Sequence, residues 1–140
     1  MSIVKSVIQS NKNRKILLLK KIDNIFGKNI KNKRIVFLGV TFKPNTDDMR
    51  DAASLHMIPH LHKKKTIISY YDPTGEKKEF NKLKNCSYHS DIKEACKNAD
   101  LIILHTEWDE FKSLDFNRLV KKKKFIIYDL RNLYSIDQMK

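Results

Sequence analysis

The chain has 140 residues, of which 41% are hydrophobic and 32% charged, and a formal net charge of +13. That length suits one domain with a real core, and the composition excludes an intrinsically disordered chain. No run approaches the roughly 18 apolar residues of a membrane span, and the start, Met1-Ser2-Ile3-Val4-Lys5-Ser6, lacks a secretory leader's apolar stretch. With Cys86 and Cys96 in no CxxC spacing, a reduced, cytoplasmic chain is expected.

In chain order, residues 3–26 read as a helix, with Ile3, Val7, Leu18, Ile22 and Ile25 on one stripe and Gly27 as its stop. The partner of that stripe is open: this domain, another chain, or a further segment. From Lys33 short β-branched runs alternate with amphipathic stretches. Strands are expected at 34–40, 66–71, 100–105 and 125–130, since such continuous apolar runs suit parallel strands buried on both faces. Helices are expected at 54–62, kinked by Pro59, and at 92–99, with a weaker helical segment at 76–83. Cys86-Ser87-Tyr88 is a candidate short strand. Alternating strands and helices predict an α/β fold with a Rossmann-like, doubly wound parallel sheet. The division expected is a helical segment over 1–30 and an α/β domain over 31–140.

The net charge raises a nucleic-acid partner, because a basic face releases phosphate counterions. Against it, the charge is mostly lysine and falls in short turn-like clusters, 63–65 and 121–124, rather than on one helix face. A solvated surface is the expected reading.

In an open parallel sheet ligands bind beyond the carboxyl ends of the strands. The chemically distinctive residues fall there: Phe42, Lys43, Asp47, Asp48 and Arg50 after the first strand, Asp72-Pro73 after the second, Trp108 and Arg131 after the later two. Lys43, Arg50 and Arg131 are cations suited to an anionic ligand, and Phe42 and Trp108 offer flat surfaces to a base or sugar. Asp47 and Asp48 either cap the following helix or hold Lys43 and Arg50 in place. No GxGxxG follows any strand, so the sheet is not expected to bind NAD in the usual way. His56, His60 and His62 are expected to be exposed or partly packed rather than metal ligands, and His105 lies beside the cleft.

At these residues the sequence resembles the UDP-glucose/GDP-mannose dehydrogenase family, in its C-terminal UDP-binding domain. Gly39-x-x-Phe42-Lys43-Pro44-Asn45-Thr46-Asp47-Asp48-Met49-Arg50 is similar to the GxxFKPNTDDxR signature. Tyr71-Asp72-Pro73, Thr106-Glu107-Trp108-x-x-Phe111 and Asp129-x-Arg131-Asn132 follow in the family's order. Asn11, Ile22, Phe26 and Gly27 resemble the end of its long central helix, whose body forms a dimer interface. The TEW block favours the UDP-glucose branch.

The resemblance implies that the Phe42 backbone and Lys43 ammonium contact the nucleotide sugar, and that Arg131 reaches the substrate or its diphosphate. Arg50 would reach the cofactor side. UDP or UDP-glucose is the implied ligand. In complete enzymes of the family NAD takes hydride twice from the sugar's C6, through a thiohemiacetal and a thioester on a catalytic Cys. This chain carries neither a glycine-rich dinucleotide turn nor that Cys context, so no catalytic residue, cofactor or stand-alone dehydrogenase activity is expected. A truncated remnant, one product of a split gene that joins a separately encoded N-terminal half, and a free-standing binding domain all remain open, as does a homodimer through the N-terminal helix. Two departures stand out: Leu130 replaces the Gly of DGRN, changing the turn that carries Arg131, and Lys65-Thr66 replace a common Gly-Ala.

Overall fold

Five short runs of β-branched and aromatic residues pair side by side in a computed structural model that describes residues 19–122 and 124–129. They are β1 (Arg34–Leu38), β2 (Ile67–Tyr71), β3 (Cys86–Tyr88), β4 (Leu101–Leu104) and β5 (Ile126–Asp129), all parallel, in the order β3-β2-β1-β4-β5. The direction of strand addition reverses between β1 and β4, which makes their carboxyl ends the switch point of the sheet.

Period-2 alternation sends successive side chains of β1 to opposite faces. Ile35 and Phe37 join Ile68, Tyr70 and Ile103 beneath α1 (residues 19–26) and α2 (Ser54–Lys63). Val36 and Leu38 join Ile102 and Leu104 against α3 (Ile92–Cys96) and α4 (Phe116–Val120). Both faces are therefore covered, as the continuous apolar runs require. Each fully buried Ile, Leu or Phe contributes about 1.5–3 kcal/mol through removal from water.

The stripe of α1 packs on this domain's own sheet. Ile22 is completely buried, and Leu19, Ile25 and Phe26 lie against the same cluster. Asp23 of α1 also reaches His60 of α2 at 2.9 Å, so that imidazole is partnered by a carboxylate. Residues 3–18 of the expected helix lie outside the described residues.

The helix at 54–63 persists through Pro59, as expected. Elsewhere the elements are shorter than the pattern predicts. Strand β1 stops at Leu38 because Gly39 turns to φ 78°. Helix α3 stops at Cys96: Lys97 is extended, Asn98 has φ 59°, and the Asn98 amide donates to the Val120 carbonyl. The expected helix at 76–83 is corrected to one 3-10 turn, Lys78–Phe80. The amide of extended Lys77 donates to the Tyr70 hydroxyl at 2.8 Å, and Phe80 packs edge-on against the Tyr70 ring, tying this segment to the sheet.

The lysine clusters, separate in sequence, share one edge. The turns entering the strands carry Lys31 and Lys33 before β1, Lys63 to Lys65 before β2, Lys82 and Lys84 before β3, Lys97 before β4, and Lys121, Lys122 and Lys124 before β5. Parallel strands all begin at the same edge, opposite the switch point. Asp100 is the one acid in those turns. Among the described residues, no helix is long and apolar enough to cross a membrane.

Candidate functional site

The carboxyl ends of β2, β1 and β4 meet at Gly39. Its amide donates to the Tyr71 carbonyl at 2.8 Å, and a Cβ added there would sit 2.5 Å from Thr106 Cβ and 2.8 Å from its Oγ1. Only glycine fits so close to the neighbouring strand end while holding a left-handed φ. The amides of His105 and Thr106 both donate to the Leu38 carbonyl, at 3.1 and 3.3 Å, completing the junction.

Beyond Gly39 the chain forms a long loop, residues 39–53, before α2 begins. Its root is anchored by the buried Asp72 at the end of β2: Oδ2 accepts the Val40 amide at 2.9 Å, and Oδ1 accepts the Thr74 amide at 2.9 Å. Thr41 Oγ1 donates to the Lys43 carbonyl at 3.0 Å, and Thr46 Oγ1 accepts the Asp48 amide at 3.1 Å. Between these anchors Phe42 is 47% exposed and Lys43 projects into solvent. The Lys43 ammonium has no hydrogen bond or ion pair among the described residues.

Arg50 and Asp48 form a closed pair. Arg50 Nε and Nη2 donate to the Asp48 carboxylate at 3.0 and 2.8 Å, and the Arg50 amide donates to Asp48 Oδ1 at 2.9 Å. These hydrogen bonds, side chain first, hold the Asp48 carboxyl down at about 2. Of the two roles open to Asp48, the loop uses it to hold Arg50. Helix capping by Asp47 or Asp48 is not what occurs: Ala53 occupies the N-cap of α2 without a side-chain cap, and Asp51 at φ 60° turns the chain away before the helix starts. Asp47 is exposed.

Trp108 leaves the end of β4 on the same edge as Lys43, but its ring lies against the cluster facing α3 and α4. Its Nε1 is buried without an acceptor. Nearby, the Tyr71 hydroxyl donates to Glu110 at 2.8 Å; burial first and that bond second push Tyr71 upward. Arg131, Asn132 and Leu130 lie outside the described residues.

Sequence reasoning placed Asp72, His105 and Thr106 after strand ends but missed that they join Thr41 and Ser54 in a buried polar set beneath the loop. Ser54, Asp72, His105, Thr106 and Thr41 are all completely buried. Their signal was position: four of the five lie within three residues of a strand end, where an inward side chain must find a polar partner. Burial pushes the Cys86 and Cys96 thiols up to about 12, so both remain protonated at neutral pH. A cavity of about 360 Å³ lies by Cys86 and Phe80, on the β2–β3 flank rather than at the switch point.

The β1–α2 connection does not fit the pyrophosphate of NAD. A dinucleotide cradle needs free helix amides directly after a glycine-rich turn. Here the Ser54 amide donates to His105, the Leu55 amide to Ala52 and the His56 amide to Ala53. The space beside Gly39 is filled by Thr106.

A parallel sheet covered on both faces, with an exposed lysine on the loop at its switch point, defines a doubly wound α/β domain. A family model described as the UDP-glucose/GDP-mannose dehydrogenase family, UDP binding domain, matches residues 36–136. The chain belongs to that family and carries its UDP-binding domain. Curated relatives include the UDP-glucose 6-dehydrogenase of Rhizobium meliloti, 36% identical over 98% of this chain and 32% of its own length. That of Rickettsia felis is 37% identical over 99% and 32%. This chain thus spans about a third of the relatives it matches. Among solved structures, a UDP-glucose dehydrogenase from Pyrobaculum islandicum superposes with a TM-score of 0.75 at 22% identity, covering 92% of this chain and 28% of its own. The UDP-N-acetyl-mannosamine dehydrogenase of Staphylococcus aureus gives 0.67 at 21%, covering 86% and 27%. Both likenesses concern the fold.

Proposed function

We propose that this chain binds UDP and UDP-glucose on the loop after β1, as the nucleotide-sugar half of an NAD-dependent UDP-glucose 6-dehydrogenase. The observation that carries this reading is the exposed Lys43 ammonium, in no hydrogen bond or ion pair among the described residues, on a loop whose root is fixed at the switch point. A lysine there is a mobile point charge for a phosphate. The Phe42 backbone would meet the sugar nucleotide next to it, with Arg131 on the diphosphate. Arg50, already engaged by Asp48, serves the cofactor side by shaping the loop edge rather than as a free fork. Trp108 serves by packing beneath the cleft.

Hydride transfer to NAD belongs to a different domain in this reading, because no dinucleotide cradle exists after β1. That domain would come from a separately encoded N-terminal half or a longer chain, and oxidation to UDP-glucuronate would require it. Isothermal titration tests the binding claim. Wild type is expected to take up UDP and UDP-glucose, and Lys43→Ala to bind roughly tenfold more weakly, as for loss of one charge-assisted contact. No heat and no amide shifts at millimolar UDP would rule the reading out.

A further inference from the structure

We infer that His105 is the positioning residue of this loop, acting as a neutral imidazole with its proton on Nδ1. The functional part of this inference rests on the nucleotide reading above; the geometric part stands without it.

The tautomer follows from the partners. The Ser54 backbone N–H lies 2.9 Å from Nε2. A backbone amide only donates, so Nε2 presents its lone pair. The ring proton then sits on Nδ1, 2.9 Å from Thr106 Oγ1. That hydroxyl in turn donates to the Thr41 carbonyl at 2.6 Å. The hydrogen bonds therefore run in one direction, from Ser54 through His105 and Thr106 to Thr41. A return link closes the circuit, since Ser54 Oγ donates to the Val40 carbonyl at 2.5 Å.

Every member is completely shielded from water. The circuit joins the first turn of α2, the end of β4 and the root of the β1 loop. Val40 and Thr41 are the residues directly before Phe42 and Lys43, and beyond them the loop becomes exposed. Where the Lys43 ammonium can reach is therefore set by this root. The role needs an acceptor and a donor on opposite edges of one rigid ring, which neutral histidine supplies. A side chain that merely filled space against Phe37, whose ring centroid is 6.2 Å away, would need neither.

Two measurements on the full chain separate positioning from filling. Long-range proton–nitrogen correlation spectra of the wild-type imidazoles report the tautomer directly. The His105 ring is expected to be protonated on Nδ1 alone, and a proton on Nε2 overturns the inference. This arm needs no variant that folds and no ligand. In the second arm, Ser54 amide exchange and UDP affinity are compared across wild type, His105→Gln and His105→Leu. Glutamine keeps an acceptor toward Ser54; leucine keeps only the bulk. Gln is expected to preserve Ser54 protection and bind UDP within about threefold of wild type, while Leu loses protection and binds roughly tenfold more weakly. Equal protection in Gln and Leu overturns the proposal. Should wild type bind no UDP, the nucleotide reading fails by itself, and the tautomer and the exchange data still decide the role of His105.

Discussion

At Gly39 two separate demands meet in one residue, a backbone at φ 78° and the absence of any atom on the side facing Thr106. An alanine there faces both the left-handed strain and an overlap with a strand-end side chain that sits in the buried circuit and cannot swing aside. Gly39→Ala is expected to lower unfolding stability by about 3 kcal/mol, summing roughly 1–2 for the conformation and 1–3 for overpacking. Gly75 supplies the control, because its φ is also positive, at 97°, but a Cβ there meets nothing within 4 Å. Gly75→Ala should cost only about 1 kcal/mol, the conformational part alone. Urea unfolding of both variants compares the two, and equal losses would mean that the contact with Thr106 contributes nothing.

The strands were legible element by element because burial on both faces leaves continuous runs such as RIVFL and LIIL, whatever the tertiary context. Their ends were not legible, since β1 stops at a conformation only the neighbouring strand makes necessary. Helix α4 and the 3-10 turn at Asp109–Phe111 escaped notice, although Phe116, Leu119 and Val120 stand at the same i, i+3, i+4 spacing that revealed the equally short α3. The Phe42–Lys43 loop was visible through its unusual residues after a strand. The inward turn of Trp108 was not, because which face a side chain takes after a strand depends on how the chain leaves it.

Entry into β4 depends on Asp100, which accepts the Arg34 amide at 2.8 Å and an ion pair from Lys122. Burial alone would raise this carboxyl, but the Arg34 amide and Lys122 together outweigh it and lower the group. A carboxyl lowered on folding adds stability that is full above its unfolded value, about 3.9, and that disappears as pH falls through the folded one. Asp100→Asn should therefore be less stable than wild type by about 1 kcal/mol at pH 7. The gap should narrow as the medium is acidified below the unfolded value. Urea midpoints across that range provide the check, and a gap constant with pH would remove Asp100 from the account.

Across the whole molecule, charge is sorted by strand direction. Helices in a doubly wound fold end where strands begin, and lysines at those ends also suit the negative pole of each helix. The segments leaving the strands at the opposite edge carry Asp47, Asp48, Asp51, Asp72, Glu107, Asp109 and Glu110 against Lys43, Arg50 and Lys112. The five residues of β1 hold the two edges roughly 16 Å apart, beyond the roughly 8–10 Å screening distance of physiological salt. On a sulfonated bead or on mica the protein should consequently land with one preferred underside, lysine turns down. Acylation of adsorbed protein, read by peptide mass, should spare Lys63 to Lys65 and Lys121 to Lys124 while still labelling Lys43. A random footprint would mean that the sorting is too weak to orient anything. If it is strong enough, the fold comes with a built-in handle, and a sensor surface could present the nucleotide loop outward without a tag.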